Sequence, residues 1–272
     1  MNSKIRDKIA VLVVSCDKYS DLWDTFFGLF ARFWSDCPLN VYLLSNYEGA
    51  SLVSVRNILI GKDLSWSDNL KNALKTLKED YVLLFMEDLF LYDFVDTNKI
   101  MRVFDWIIKS NANYVRMISS PKPNKAYNDL VGIVSKGAIY RIGTQMPVIK
   151  KELLLDLLKS GESAWDFEVH GSVRSDKYDD FYSVWEDHFP VIEVVVKGKW
   201  DRSAVQQIHA LGVKIDLGKR DLMTFSEQII YHAKCLRSTV FNIVIPSKYQ
   251  RTVKHFVIRG RYDYNKEANS NK

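Results

Sequence analysis

Three groups of polar residues follow directly on apolar segments that read as buried strands. Ser15, Asp17 and Tyr19 come after the first such segment, residues 9–15. Such a group is ordinary turn chemistry or it contacts a ligand, because open α/β sheets bind ligands beyond the carboxyl ends of their strands. Glu87 and Asp88 close the apolar run that begins at Tyr81. Adjacent acids there either begin a solvated loop or hold a hard divalent cation through oxygen. Asp166 and Glu168 lie in Glu162-Ser163-Ala164-Trp165-Asp166-Phe167-Glu168, a polar and aromatic stretch with no clear period. An extended chain would put both acids on one face and Trp165 and Phe167 on the other. A carboxylate beside aromatics can have its proton affinity tuned for base work; the same spacing also fits two solvated acids beside core aromatics. The five histidines (170, 188, 209, 232 and 255) show no metal-ligand spacing with one another, and His188 and His209 are the two worth testing. Cys16, Cys37 and Cys235 are odd in number, widely spaced and without a CxxC pair. Reduced thiols in a cytosolic protein are therefore expected rather than a disulfide framework or a zinc ribbon.

The elements that must position these groups alternate in type. Residues 9–15 form a continuous apolar run rich in β-branched residues, as in a central parallel strand covered on both faces. The run is short and leads straight into Asp17 and Lys18, so it reads as a strand rather than a leader segment. Residues 21–34 carry Leu22, Phe26, Leu29, Phe30 and Phe33 at helical spacing. Strands are expected at 41–44, 57–60, 81–86 and 114–118, with helices over 68–78 and from an Asp96 cap through Lys109. Strands separated by helices of this length predict a mostly parallel α/β sheet. No GxGxxG and no GxxxxGK[ST] follows the first strand, which counts against a Rossmann dehydrogenase and a P-loop NTPase. After Pro121 the pattern predicts a strand at 138–142, a helix at 151–159 stopped by Gly161, a strand at 191–196 and a helix at 204–211. Thr224 and Glu227 form a capping-box pair opening a helix through about Arg237.

The chain has 272 residues, 47% hydrophobic and 26% charged, with a formal net charge of +5. That composition suits a soluble globular protein, and no apolar run approaches the roughly 18 residues needed to span a bilayer. The excess charge is uneven. Residues 219–261 hold nine Lys/Arg against only Asp221 and Glu227, and the rest of the chain has 29 basic to 31 acidic residues. Plain packing with a solvated basic face is one reading of this end; a segment drawn to anionic lipid is the other. The basic residues are not organised as a nucleic-acid module, so nucleic acid is not an expected partner.

Trp66-Ser67-Asp68-Asn69-Leu70, followed by Tyr81-Val82-Leu83-Leu84-Phe85-Met86-Glu87-Asp88, resembles the donor half of GT-A-fold glycosyltransferases. The likeness is greatest to bacterial enzymes of capsule, O-antigen or related surface-polysaccharide synthesis. The stretch from Glu162 to Glu168 is similar to a tryptophan-to-glutamate segment in the acceptor half of such proteins. The resemblance implies a GT-A-like mixed, mostly parallel sheet flanked by helices. It implies a catalytic domain over 1–218 (nucleotide-sugar half 1–120, acceptor half 121–218); the charge pattern adds a basic helical extension over 219–264, and the polar composition after Tyr264 a disordered tail over 265–272. By the same resemblance Ser15, Asp17 and Tyr19 hold the nucleotide, and Asp68 and Asn69 lie near the sugar nucleotide. Glu87 and Asp88 stand where the family has its Asp-x-Asp motif for Mn²⁺ or Mg²⁺. The chain departs from that motif, since Leu89 and Phe90 follow Asp88 and the second aspartate is missing. Glu168, with Asp166 as second choice, takes the place of the base that deprotonates an acceptor hydroxyl, which suits transfer with inversion. Lys136, Arg141, Lys197, Lys199 and Arg202 are available to neutralise the leaving diphosphate. The implied partners are a nucleotide-sugar donor and a glycan or lipid-linked acceptor, with the enzyme in the cytoplasm or peripheral on the inner membrane face. Two other functions stay open: a sugar-phosphate nucleotidyltransferase, and a non-catalytic sugar-nucleotide or glycan-binding protein.

Overall fold

Apolar side chains alternating to both faces of a strand require a covering layer on each side, and the arrangement of this chain follows from that need. A computed structural model describes residues 2–257. A short helix α1 (Asn2–Arg6) precedes β1 (Ile9–Val14), every residue of which is buried. Ile9, Val11 and Val13 point into one apolar core, and Leu12 and Val14 into a second on the opposite face. Helix α2 (Ser20–Phe33), strands β2 (Asn40–Ser45) and β3 (Val55–Leu59), helix α3 (Trp66–Leu74) and strand β4 (Tyr81–Met86) follow. Short β5 (Leu89–Leu91), helix α4 (Thr97–Ser110), β6 (Tyr114–Arg116), β7 (Lys125–Ala126), β8 (Val131–Ile133) and β9 (Pro147–Lys150) come next.

Nine strands form one sheet in the order β3-β2-β1-β4-β9-β6-β10-β8-β7, with β10 at Phe181–Val184. β1 pairs in parallel with β2 and β4, β2 with β3, and β6 with β10; β9 runs antiparallel between β4 and β6, and β8 antiparallel to β10 and β7. This is the expected mixed, mostly parallel α/β sheet. The carboxyl ends of β1, β4, β6 and β10 therefore share one edge. On one face α2 and α4 bury Phe26, Phe30, Ile100 and Phe104 against Phe85 and Val13, together with Ala204 and Ile208 from late in the chain. On the other, Leu70 and Leu74 of α3 meet Leu153 and Leu157 of α5 (Lys151–Leu157) and Phe167.

Beyond α5 the chain makes one irregular helical unit: α6 (Ala164–Asp166), a π-helical turn (Phe167–Gly171) and α7 (Ser172–Arg174). Two small antiparallel ribbons then form, β11 (Val191–Glu193) on β5 and β12 (Val195–Val196) on β13 (Lys199–Trp200). Helix α8 (Arg202–Ala210) follows as expected for residues 204–211, and α9 (Phe225–Val244) and α10 (Ser247–Val257) complete the described chain as the expected C-terminal helical extension. Among the described residues no helix is long and apolar enough to cross a membrane. The expected tail at 265–272, together with Arg259 and Arg261 of the basic segment, lies outside the described residues.

Three local expectations need correction. Residues 138–142 form turns instead of a strand, with Gly137 at φ 82° and Tyr140 at φ 48°. The backbone there wraps a buried arginine: Arg141 donates to the carbonyls of Val134, Ser175 and Tyr178, and its guanidinium lies 3.9 Å from the Phe181 ring centre. The apolar run 191–196 divides between two ribbons, because the backbone N–H of Val194 turns to the Asp88 carbonyl. Helix α9 continues past Arg237 to Val244, since nothing after Arg237 carries a stop signal until Pro246.

Candidate functional site

The carboxyl ends of the parallel strands bring the sequence candidates to one edge. After β1 the chain turns through Asp17–Tyr19. Asp17 Oδ1 accepts from the backbone N–H groups of Asn46, Tyr47 and Glu48, at 3.0, 3.2 and 3.2 Å, and Asn46 Oδ1 accepts from Asp17 N at 3.3 Å. Asp17 thus knits the ends of β1 and β2 together. Ser15 Oγ accepts from the indole of Trp23 at 2.8 Å. Tyr19 is half-buried beneath Arg220, whose guanidinium lies 4.3 Å from its ring centre. Burial, and then the nearby Glu87, raise its phenol above the usual value.

Four carboxylates run along the same edge. Glu87 is buried, and its Oε2 has no hydrogen-bond partner. Burial and then Asp88 push Glu87 well above the carboxylate range; burial and then Glu193 raise Asp88 to about 7. Glu193 stands opposite Leu89 in the β5–β11 ribbon and accepts from the Tyr231 hydroxyl of α9 at 2.7 Å. It too is raised, by burial first and with a contribution from Glu168. Each of the four therefore feels the next. Arg220 is the cation at the Glu87 end, bound bidentately to Asp21 at 2.8 Å for each bond.

Glu168 sits in the π-helical turn, and Oε1 accepts both Thr144 N–H and Thr144 Oγ–H at 2.8 Å. Burial raises its pKa; the Thr144 bonds, and then Arg116 and Lys254, oppose that rise. Arg116, at the end of β6, donates to the carbonyls of Pro121 and Tyr140 at 3.0 and 2.7 Å. Lys254 of α10 donates to the Tyr140 hydroxyl at 2.9 Å, and burial lowers its pKa to about 8. Asp166 does something else. It is the third helical residue of a capping box, accepting from Ser163 N–H at 3.0 Å and from Ser163 Oγ–H at 2.6 Å. The extended segment expected here is helical, so Asp166 and Glu168 do not share a face.

The two stretches that carried the family resemblance pack on each other. The rings of Trp66 and Phe167 lie 5.4 Å apart, and Ser67 N–H donates to the Glu162 carbonyl at 3.1 Å. Asp68 Oδ2 accepts from Ser65 Oγ, Ser160 Oγ and Gly161 N at 2.6, 3.0 and 3.0 Å, and these bonds to Ser65, Gly161 and Ser160 lower its pKa. Asn69 is buried, donating to Asp63 at 2.7 Å and accepting from Leu64 N at 3.2 Å. Both side chains thus brace the start of α3. Arg174 clamps Glu162 bidentately at 2.8 and 2.6 Å, which anchors the start of the segment 162–168.

Of the five cations expected to face a diphosphate, four are engaged elsewhere. Lys136 pairs with Asp179, Lys199 with Glu227, Arg202 bonds the Met223 carbonyl, and Arg141 is the buried arginine described above. Lys197 is exposed at φ 53° in the β12–β13 turn. The cations at the carboxylate edge are Arg220, Arg116 and Lys254. No local motif marks them, because each reaches the edge through tertiary contacts from a distant part of the chain. A cavity of about 500 Å³ adjoins the edge, with Tyr92, Phe94, Lys99, Gln145, His188 and Glu193 among its lining residues. His188 is buried there, its Nδ1 2.8 Å from the Glu186 carbonyl, and burial lowers its pKa; His209 lies on the exposed side of α8.

Among the described residues, no group of three or more His, Cys, Asp or Glu side chains is gathered as a ligand set. The partnerless, buried Glu87 Oε2 beside Asp88 nevertheless suits a hard cation that takes its remaining ligands from elsewhere.

No family model and no curated protein matches this chain. Solved structures similar to it include Staphylococcus aureus TarS, with 12% identity and a TM-score of 0.43 over 93% of this chain and 46% of that one. The chain thus spans about half the length of that protein. A UTP-bound UGPase from Acinetobacter baumannii has 12% identity and a TM-score of 0.47 over 84% and 98% of the two chains. Mannosyltransferase PcManGT from Pyrobaculum calidifontis, in complex with GDP-Man and Mn²⁺, has 9% identity and a TM-score of 0.46 over 98% and 79%.

Proposed function

We propose that the chain is a nucleotide-sugar-dependent glycosyltransferase that moves a sugar to a hydroxyl of a glycan acceptor in bacterial surface-polysaccharide assembly. The observation that carries this reading is the run Glu87, Asp88, Glu193, Glu168 along the carboxyl edge of the sheet. At one end are two adjacent carboxylates with an unsatisfied buried oxygen. At the other is a single carboxylate held by Thr144 beside two cations. A transferase using an activated sugar needs both ends: one to seat the leaving diphosphate, one to accept a proton from the attacking hydroxyl.

In this reading the turn at Ser15, Asp17 and Tyr19 seats the nucleotide, with the Tyr19 ring and the stacked Arg220 forming one wall. Asp68 and Asn69 act indirectly, by fixing the start of α3. Asp88 and Glu87 would hold Mn²⁺ or Mg²⁺, which when bound supplies charge neutralisation for the diphosphate. Glu168 takes the acceptor proton, and its raised pKa makes it a stronger base than an exposed glutamate. Thr144 fixes its orientation. One base and in-line attack give inversion. The cavity that meets Glu193 offers aromatic faces at Tyr92 and Phe94 and polar groups at Lys99, Gln145 and His188, which suits a sugar acceptor.

Paired variants test the assignment. Glu168→Gln should keep donor binding and lose sugar transfer by at least about 100-fold. Asp88→Asn should weaken donor binding itself. Intact binding and turnover in Asp88→Asn would place the donor elsewhere, and unchanged turnover in Glu168→Gln would remove the base.

A further inference from the structure

Helix α9 presents an apolar stripe that no part of the described chain covers. Phe225, Ile229, Leu236, Val240 and Ile243 recur at intervals of four, seven, four and three residues, one face of an α-helix. They are 75%, 68%, 67%, 50% and 78% exposed. The opposite face leans on the body through Gln228, bonded to Asp201, and Tyr231, bonded to Glu193. The stripe therefore points away from the sheet along a helix of about 30 Å. A soluble helix normally turns such a face inward, so this one lacks an occupant.

Charge chooses the occupant. Lys234 and Arg237 flank the stripe near the middle of α9, and Arg202 stacks on Phe225 with its guanidinium 4.7 Å from the ring centre. Glu227 is the one acid of α9; it is already bound to Lys199 at 2.7 Å and to the Thr224 cap. The sequence of α10 has no acid at all, and its Arg251 and Lys254 turn into the body, onto Asp176 and the Tyr140 hydroxyl. A second copy pairing through this face would set Lys234 and Arg237 against their own counterparts, parallel or antiparallel, with no free acid on the helix to relieve them. An anionic lipid surface accepts both features: the stripe enters the headgroup–acyl boundary and the flanking bases meet lipid phosphates.

We infer that α9 is an interfacial membrane-docking helix lying flat on an anionic bilayer. The inference goes beyond the proposed transferase activity and does not rest on it. Because Tyr231 on the body side of the same helix bonds Glu193, docking holds the carboxylate edge behind α9, about 10 Å (one helix diameter) from the membrane surface.

The test is flotation of the full chain with phosphatidylcholine vesicles, with and without about one quarter phosphatidylglycerol. The expected result is recovery with the anionic vesicles at least about tenfold above the neutral ones, falling as salt is raised. The combined variant Ile229→Asp, Leu236→Asp and Ile243→Asp should lose flotation while its circular dichroism and melting temperature stay as in the parent. Lys234→Glu with Arg237→Glu, a change of charge alone, should lower recovery about tenfold. Equal recovery in the soluble fraction with both vesicle types would overturn the inference, as would flotation unchanged in both variants. A stable dimer that dissociates in the aspartate variant, without vesicle binding by the parent, would assign the face to a second copy instead.

Discussion

Thr144 donates twice to one oxygen of Glu168, from its backbone and from its hydroxyl, and both bonds favour the ionised carboxylate. Burial works the other way and wins, so the pKa is raised. If Glu168 is the base, activity must rise with pH as it loses its proton. Thr144→Val removes one of the two opposing bonds, so the pKa rises further and the acid limb of the pH–rate profile moves to higher pH. The profile of this variant checks the claim; a limb at the parental position would mean that Glu168 is not the titrating group. At this scale the sequence was partly legible. Glu87, Asp88 and Glu168 stand out because each closes or interrupts an apolar segment. Thr144, Glu193, Arg220 and Lys254 do not, because their neighbours along the chain say nothing of a partner 24 positions away, as Glu168 is from Thr144, or 38 away, as Tyr231 is from Glu193.

The irregular unit from α6 to α7 positions Glu168, and it is held from two sides. Trp66 packs on Phe167, and Arg174 forks onto Glu162 with both side chains only 11% exposed. Removing one partner of such a pair leaves the other charged and poorly solvated. Arg174→Met should therefore lower the unfolding free energy by about 3 kcal/mol, read from urea denaturation. A loss under about 0.5 kcal/mol would mean that the pair does not anchor the unit. The long elements were legible because a single period governs each: β1, β4, α2 and α4 fall within a residue or two of expectation. Residues 138–142 and 162–168 were not, for a common reason. Their backbones follow a buried Arg141 and a capping box at Ser163, and neither leaves a periodic trace.

For the molecule as a whole, the carboxylate run couples stability to pH. Glu87, Asp88, Glu193 and Glu168 all have folded pKa values above those of an unfolded chain, Asp88 at about 7. From about pH 4 to about pH 7 the folded protein keeps carboxyl protons that the unfolded chain has lost, so these four groups lower stability as pH rises; the depressed His188 has the opposite sign in this window but is one group against four. Depressed carboxylates such as Glu227, at about 2, have the opposite sign but act below that window. Urea midpoints should therefore be higher near pH ~5.5 than near pH ~7.5, and Asp88→Asn should flatten the difference. A midpoint that climbs over this range would contradict the carboxylate assignment. The net charge of +5 comes from the C-terminal segment, which sends Arg220 and Lys254 to the carboxylate edge and places Lys234 and Arg237 beside the outward stripe of α9.

The central claim is that the carboxyl edge binds a nucleotide sugar. Thermal unfolding against UDP-, GDP-, CMP- and dTDP-sugars, each with and without Mn²⁺, tests it most directly. One donor class should raise the melting temperature, with about 2.7 kcal/mol of stabilisation at about 100 times its Kd, and Asp88→Asn should abolish the shift. An unchanged melting temperature with every donor, with and without metal, would contradict it.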